Sequence, residues 1–277
     1  MRTSLLQITS SDEPAENLSH ILGLAEDAVA DGAEFLLTPE VSNCLTSSRA
    51  RQVEVLRHEE NDPTLASLQD FAARRGVWLS IGSLALKTTA SDGRFANRSF
   101  LISPDGEIAA RYDKLHMFDV AVSKTETYRE SANYRPGEVA VLAGTPFAKI
   151  GLTICYDLRF PGLFRDLAKA GAEVILVPAA FSPVTGAAHW EPLLRARAIE
   201  TGTWIVAAAQ TGTHPTREGP TRQTHGHSLA VNPWGEVVAD AGTAPGIVTF
   251  TLDLAQVSDA RRKIPSLQAG VSYSGPT

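Results

Sequence analysis

Hydrophobic positions along this chain of 277 residues follow two periods, one typical of helices and one typical of strands. Apolar residues recur every three or four positions in four segments, which predicts four helices: residues 11–32, 63–76, 161–171 and 188–202. Short apolar runs separate these segments and predict six buried strands: residues 1–9, 34–40, 77–84, 147–155, 172–178 and 203–210. Strands that alternate with amphipathic helices are typical of an α/β fold.

Each half of the chain also closes on a predicted hairpin. The turns are SPDGE at 103–107 and NPWGE at 232–236, which share a Pro-x-Gly-Glu pattern. Each half is therefore predicted to run strand, helix, strand, helix, strand, hairpin, and the repeat suggests two sheet-and-helix layers packed sheet to sheet. A chance coincidence of two turns is the alternative. No low-complexity linker divides the halves, so we predict a single domain over residues 1–277.

Charge and composition narrow the class of partner. The net charge is −6 and no block of like charge occurs, which argues against a nucleic-acid-binding protein and favours a small-molecule or protein partner. Apolar runs are far shorter than the ~20 residues of a membrane span, and the first residues lack the apolar core of a signal peptide. Only two cysteines, Cys44 and Cys155, are present, which fits a reducing compartment. We therefore expect a cytoplasmic protein without a membrane partner.

Cys155 is the first candidate for chemistry. It lies in GLTICYDLRFPG at 151–162, where an apolar strand ends and Pro161 suits the first turn of a helix. Backbone N–H groups at such an edge favour an anion, so the position suits a thiolate. Taken alone, a single cysteine is more often a small buried apolar residue. Two other predicted strand ends carry charge, Glu40 after FLLTP and Lys114 after the first hairpin, and all three ends could converge.

These segments together resemble the nitrilase superfamily of carbon-nitrogen hydrolases. The resemblance is carried by TPE at 38–40, YDKLHMFDV at 112–120 and CYDLRFP at 155–161, in this order, and extends over nearly the whole chain. The later segments AFSPVTGAAHWEPLLRARAIE, AAAQTGTH and THGHSLAVNPWGEVVADAG resemble the amidase branch that acts on deaminated glutathione and related ω-amides. The family implies a four-layer αββα sandwich with an internal pseudo-two-fold repeat.

The resemblance also implies roles for four residues. Cys155 is the expected nucleophile, Glu40 the general base and Lys114 the cation that stabilises the tetrahedral intermediate. Glu130, in YRES, is expected to orient the substrate or Lys114, and the backbone N–H of Tyr156 completes an oxyanion hole. The expected reaction is hydrolysis of a small carboxylate-bearing amide to acid and ammonia through a thioester. An N-carbamoyl-amino-acid amidohydrolase or an aliphatic nitrilase is the alternative within the superfamily, and no metal or cofactor is required.

The substrate-binding residues are expected in segments that follow the strand ends. An anion clamp against an aromatic wall is predicted from five of them, of which Phe181 and Trp190 are equally suited to core packing: Arg159, Phe181, Thr185, His189 and Trp190. Gly162 departs from the family pattern, which usually has a glutamate there, and this departure weakens the substrate assignment. The family also implies a homodimer or a larger homo-oligomer, and the tail around Tyr273 is expected to pack on a neighbouring subunit.

Three alternatives remain open from the residues. His225 and His227 could form a metal pair, although no further ligand with suitable spacing accompanies them. Cys155 could pair with His189 or His225, as in papain-type proteases, which would leave Glu40 and Lys114 without a role. A non-catalytic scaffold that keeps the fold and binds a partner is the alternative from another class.

Overall fold

The computed structural model describes residues 1–121, 127–271 and 274–275, so Tyr273 lies outside the described residues. Two six-stranded sheets form its centre. The first sheet contains β1 (Arg2–Gln7), β2 (Phe35–Leu37), β3 (Trp78–Leu86), β4 (Ala96–Ile102), β5 (Ile108–Asp113) and β16 (Gly246–Thr251). The second contains β8 (Val141–Gly144), β9 (Lys149–Leu152), β10 (Val174–Leu176), β11 (Trp204–Ala207), β14 (Leu229–Val231) and β15 (Val237–Asp240).

The helices and two short hairpins complete the described elements. The helices are α1 (Pro14–Ala30), α2 (Arg49–Val55), α3 (Pro63–Arg75), α4 (Pro161–Lys169), α5 (Pro183–Thr201) and α6 (Ala255–Lys263). One hairpin pairs β6 (Asp119–Ala121) with β7 (Thr127–Arg129), and the other pairs β12 (Thr211–His214) with β13 (Arg222–His225). No helix among the described residues is both long and apolar enough to cross a bilayer.

The two sheets have equivalent strand orders, and the predicted repeat is confirmed. The first runs β16, β1, β2, β3, β4, β5, and the second runs β8, β9, β10, β11, β14, β15 in the same sense. In the first hairpin turn Gly106 N–H donates to Ser103 O at 2.9 Å, and in the second Gly235 N–H donates to Asn232 O at 2.9 Å. Both glycines have φ near +80°, at 80° and 87°, a conformation that favours glycine.

Successive side chains along the strands of the first sheet belong alternately to two different hydrophobic cores. Leu5, Phe35 and Leu37 belong to the core shared with the second sheet, whereas Leu6 and Leu36 pack with α1 and α3. This follows from the two-residue period of a strand, which sends successive side chains to opposite faces. The second sheet is buried on both faces, by the first sheet and by α4 and α5, which explains its uninterrupted apolar runs. The layers are therefore α, β, β, α, as predicted.

Several elements were not predicted from the sequence. They are α2, α6, both short hairpins and the two edge strands β8 and β16. The edge strands are held by their antiparallel neighbours, as in the pair Leu5 and Val248 between β1 and β16. Helix α5 begins at Pro183, five residues before the predicted start, and Cys155 lies in a short 3-10 turn after β9 rather than in the strand.

Gly82 in β3 permits a close approach between the strand ends of the two sheets. A Cβ at this position would lie 2.0 Å from Thr38 O, 2.6 Å from Pro39 O and 2.5 Å from Pro178 Cβ. Thr38 and Pro39 follow β2, and Pro178 follows β10, so this glycine packs between the segments that lead into the two strand-end loops. Backbone and ring atoms cannot move aside cheaply, so only glycine fits here.

Gly162 has the opposite surroundings. It occupies the first turn of α4, it is exposed, and a Cβ there would meet nothing within 4 Å. The position faces open space, so a Cβ here would not displace its neighbours. Glycine is itself unfavourable within a helix.

We expect Gly162→Glu to raise the free energy of unfolding by about 1 kcal/mol. Glycine costs about 1 kcal/mol in a helix interior, and a carboxylate in the first turn is stabilised by the helix dipole. Urea denaturation of both proteins measures the change. Gly82→Ala is the contrasting variant and should be destabilised, since its Cβ would clash with the backbone oxygens of Thr38 and Pro39. A less stable Gly162→Glu protein would contradict this interpretation.

Candidate active site

Four strand ends meet around one cavity of about 240 Å³. Glu40 lies three residues after β2, Lys114 directly follows β5, Cys155 lies three residues after β9, and Ala180 lies four residues after β10. All four line the cavity, together with Glu130, which begins the 3-10 turn after β7. The cavity is therefore built where the carboxyl ends of parallel strands from both sheets come together, an edge at which α/β folds commonly bind ligands.

Lys114 is the centre of a buried ion-pair network. Its side chain is 2% exposed, and its Nζ donates to Glu40 Oε1 at 2.7 Å and to both Glu130 oxygens at 2.9 and 3.0 Å. Phe118 N–H donates to Glu130 Oε2 at 2.7 Å, and Asn97 Nδ2 donates to Glu40 Oε1 at 2.9 Å. Each carboxylate thus accepts from a second donor besides the ammonium, which buried charges require.

The network determines the charge states of its members. Burial opposes the charged form of Lys114, but the charges of Glu130 and Glu40 outweigh it and raise the pKa of Lys114 well above its usual value. Burial also opposes ionisation of Glu40, yet the Lys114 charge and hydrogen bond lower the pKa of that carboxyl below 4.5. At neutral pH the site therefore contains an ammonium and an ionised Glu40.

Cys155 is held with its thiol next to Glu40. Its backbone has φ of 49°, in the left-handed region that non-glycine residues rarely adopt, and its N–H donates to Pro178 O at 2.9 Å. The thiol lies in the same cavity as the Glu40 carboxylate and feels its charge. Burial, followed by the negative charge of Glu40, raises the pKa of the thiol well above its usual value, although Lys114 opposes this effect. The resting thiol is neutral and lies beside an ionised base.

Asp157 supports the turn that presents Cys155. It is fully buried and accepts from Ile154 N at 2.8 Å and from the Tyr112 hydroxyl at 2.6 Å. Its other oxygen accepts from His116 N at 3.0 Å and lies 2.7 Å from His116 Nδ1. Tyr112 belongs to β5 and His116 follows Lys114, so one carboxylate ties the cysteine turn to the lysine segment.

The structure brings together the residues predicted for the chemistry and divides the residues predicted for substrate binding. Tyr156, Phe181 and Thr185 line the cavity along with the four residues predicted for the chemistry. Three others lie outside its lining: Arg159, His189 and Trp190.

Each of these three side chains has another partner. The guanidinium of Arg159 lies 3.3 Å from Nδ1 of the exposed His189, and Trp190 is a core residue whose Nε1 donates to His227 O at 2.7 Å. The cavity lining therefore does not include Arg159 or His189, although the Arg159 guanidinium lies 5.4 Å from the ring centre of the cavity-lining Phe181. Helix α5 begins five residues before its predicted start, and its residues 189 and 190 lie beyond Thr185.

The histidine alternatives find little support in the geometry. His225 stacks on His227 at 4.8 Å between ring centroids, and the ring of His225 packs against Gly186. His227 Nδ1 lies 3.0 Å from Asp240, and no group of three metal-ligating side chains occurs in the described part of the chain. Neither His189 nor His225 lines the cavity. The base next to Cys155 is a carboxylate, so a papain-type pair is not what the structure contains.

Three polar residues of the site were missed from the sequence. Asn97 lies near the start of β4, the first strand of the first hairpin, Asp157 lies within CYDLRFP, and Arg222 comes two residues before THGHS. Asp157 belongs to the motif CYDLRFP, so its position two residues after Cys155 could have identified it as a site residue. Asn97 and Arg222 carried no comparable signal, because each reaches the cavity only through strand pairing.

We predict that thiolate formation at Cys155 begins only above pH 9 and shifts to lower pH in Glu40→Gln. The substitution removes the negative charge that raises the thiol pKa, while Lys114, which lowers it, remains. Titration of the thiolate ultraviolet absorbance, taken as the difference from Cys155→Ser, measures both midpoints. Cys44 interferes little, because burial raises the pKa of its thiol to about 12. An unchanged or higher midpoint in Glu40→Gln would contradict the assigned electrostatics.

Comparison with known proteins agrees with this geometry. Residues 2–262 match the family model for carbon-nitrogen hydrolases. The chain is 41% identical over 267 residues to deaminated glutathione amidase of Yersinia enterocolitica, covering 96% of this chain and 91% of that protein. It is 39% identical to the Synechocystis protein of the same name, covering 95% of each.

Solved structures share the architecture. The NitFhit protein of C. elegans aligns with a TM-score of 0.90 at 33% identity, over 97% of this chain and 64% of that longer chain. A glutamate-to-glutamine variant of the amidase from Nesterenkonia sp. AN1 aligns with a TM-score of 0.77 at 27% identity, over 96% and 98%. In that variant acrylamide has added to the active-site cysteine. This chain therefore belongs to the carbon-nitrogen hydrolase family.

Proposed function

We propose that this protein is a cysteine-dependent amidase that hydrolyses a small carboxylate-bearing amide through a thioester. One observation carries the proposal. Glu40, which its ion pair with Lys114 keeps ionised, lies beside the neutral thiol of Cys155 in one cavity. A thiol and a base in this arrangement suit nucleophilic attack on a carbonyl carbon.

The proposed acylation step transfers one proton to Glu40. Cys155 Sγ bonds to the amide carbonyl carbon as Glu40 takes the thiol proton. Lys114 Nζ stabilises the negative charge that develops on the carbonyl oxygen, with the Tyr156 N–H as the second proposed donor. Glu40 then returns the proton to the nitrogen, the C–N bond breaks, and ammonia or an amine leaves.

Deacylation repeats the sequence with water. Glu40 removes a proton from water, whose oxygen bonds to the thioester carbon, and the C–S bond breaks. The proton held by Glu40 returns to the Cys155 sulfur, which restores the resting state. Glu130 takes no proton in this scheme. It holds the Lys114 ammonium through two contacts of 2.9 and 3.0 Å, which fixes the cation where charge develops.

The substrate class rests on the relatives and on the cavity. Deaminated glutathione amidases are among the relatives, and deaminated glutathione is an amide whose acyl portion ends in a carboxylate. A cavity of about 240 Å³ has room for a small acyl group and an amide, and aromatic residues form part of its wall. We propose an amide of this type, a deaminated glutathione-like compound or an ω-amide, as substrate.

The cellular location and the oligomeric state of the enzyme stay predictions. Both cysteines are free and buried, as expected of a protein in a reducing compartment, and we propose a cytoplasmic location. A homodimer or larger homo-oligomer is proposed from the family resemblance, without nucleic-acid or membrane partners.

A covalent adduct should form on Cys155 during turnover. Wild-type protein mixed with an amide substrate and quenched in acid is expected to gain the mass of the acyl group, because a thioester survives acid. Cys155→Ala should form no adduct and lose at least ~1,000-fold in hydrolysis rate, the scale seen when a nucleophile is removed. Intact mass spectrometry and an ammonia assay provide the two measurements.

The matched control for this experiment is the other cysteine. Cys44→Ala should still form the adduct, since the base Glu40 and the cation Lys114 act on Cys155 and not on Cys44. An adduct that persists in Cys155→Ala would overturn the assigned nucleophile. Absence of both adduct and hydrolysis in the wild-type protein, across amides with and without a carboxylate, would favour a non-catalytic scaffold.

The pH dependence of kcat/KM should have a wide plateau. Glu40 must be ionised, and its pKa is lowered from 4.5, so activity is lost only as the pH falls below 4.5. Lys114 must be protonated, and its pKa is raised above 10.5, so the alkaline loss comes only beyond that value. Initial rates across this range, with circular dichroism to monitor folding, test the prediction. An acid midpoint near ~6.5 would instead indicate a histidine base.

A further inference from the structure

Arg222 is a cavity-lining cation that forms no ion pair with a carboxylate among the described residues. Lys114 is engaged by Glu40 and Glu130, and Arg129 lies at the exposed rim. Arg222 is half-buried and forms no ion pair with any residue that the structure describes, and its Nε is buried without a hydrogen-bond partner. A buried guanidinium nitrogen left unpartnered is costly, which indicates that a ligand supplies the acceptor.

The guanidinium is held in a fixed position. Its Nη2 donates to Ala180 O at 2.6 Å, and its Cζ lies 5.6 Å from the centre of the Tyr128 ring. Strand β13, on which it lies, pairs with β12, so that Arg222 is opposite the fully buried His214. A cation anchored in this way loses little conformational entropy when it binds an anion.

Arg222 also lies close to the reacting group. The N–H of Ala180 donates to Glu40 Oε2 at 2.8 Å, and the carbonyl of the same residue accepts from Arg222. One residue, Ala180, therefore contacts both the carboxylate of Glu40 and the guanidinium of Arg222. Cys155 and Arg222 line the same cavity, so a short acyl chain can lie in it with its amide at Cys155 and its far end at Arg222.

Two other side-chain oxygens in the cavity lack hydrogen-bond partners and could bind the same ligand. Thr185 Oγ1 and Gln52 Oε1 are buried without hydrogen-bond partners, and both residues line the cavity. A hydroxyl can donate to a carboxylate, and an amide oxygen can accept from an amide N–H. The set of unpartnered groups thus contains donors for an anion and an acceptor for an amide nitrogen.

We propose that Arg222 binds the carboxylate at the far end of the acyl group and so determines substrate specificity. The proposal rests on the proposed amidase function and replaces the expected clamp at Arg159, which lies outside the cavity lining. A planar guanidinium pairs with a carboxylate through two parallel hydrogen bonds, and the free Nε provides one of them.

The test compares two amides that differ only at the far end. Glutaramate carries a terminal carboxylate, and pentanamide has a methyl group in its place. We expect Arg222→Met to lower kcat/KM for glutaramate by about 10- to 100-fold, mainly through KM, and to change pentanamide hydrolysis by less than about 3-fold. For glutaramate, kcat/KM of Arg222→Lys should lie between the values of the wild-type protein and Arg222→Met. Lysine keeps the positive charge but cannot form two parallel hydrogen bonds with a carboxylate.

Arg74→Met is the charge-matched control. Arg74 lies on the surface of α3, 55% exposed and paired with Asp70, and its loss should leave both substrates unaffected. Equal losses for both amides in Arg222→Met would mean that the arginine acts by holding Ala180 and Glu40, which overturns the specificity role. A wild-type preference for pentanamide would also overturn it and leave the amidase function intact.

A binding measurement separates failure of this proposal from failure of the amidase function. Glutarate, the product of glutaramate hydrolysis, is titrated calorimetrically into Cys155→Ala, which binds without turnover. Loss of about 10-fold or more in affinity on adding Arg222→Met supports the carboxylate site even if no amide is hydrolysed. Equal affinity in the two proteins overturns the proposal independently of catalysis.

Discussion

The buried ion pair between Lys114 and its two carboxylates is the interaction on which the rest of the site depends. An ammonium that is 2% exposed would be strongly destabilising alone, and Glu40 and Glu130 compensate only because each is within 3.0 Å of Nζ. That geometry requires the loops after β2, β5 and β7 to meet at one place. The close approach at Gly82 is part of how they do so, because any larger residue would push the strand-end loops apart.

The same network explains why the thiol rests in its neutral form. Glu40 is ionised because Lys114 is next to it, and burial, together with the charge of Glu40, raises the pKa of Cys155. The thiol proton is therefore available for transfer to the neighbouring carboxylate at the moment of attack. Asp157 extends this coupling to the second sheet, since it binds Ile154 in the cysteine turn together with Tyr112 and His116 from the lysine segment.

The internal repeat of the fold builds both sides of the cavity and fills them differently. Strands β2 and β10 occupy equivalent places in their sheets, and each leads through a proline into the cavity. One is followed by Glu40, whereas the other is followed by Ala180, whose backbone contacts Glu40 and Arg222. A symmetrical scaffold thus presents a base from one half and backbone groups from the other, and the cysteine turn follows β9 in the second half only.

The sequence by itself determined the alternation of strands and helices, the repeat of the two halves and the residues of the reacting centre. Those features depend on local periodicity, on turn chemistry and on short motifs, all of which are contained within a few consecutive residues. The edge strands β8 and β16 escaped prediction because their partners, not their own residues, hold them in the sheets. Only the tertiary structure decided that Arg222 and Asn97 reach the cavity and that Arg159 and His189 do not. The pairing of β3 with β4 places Asn97, and the pairing of β12 with β13 places Arg222, and neither pairing is contained in the residues of one strand alone.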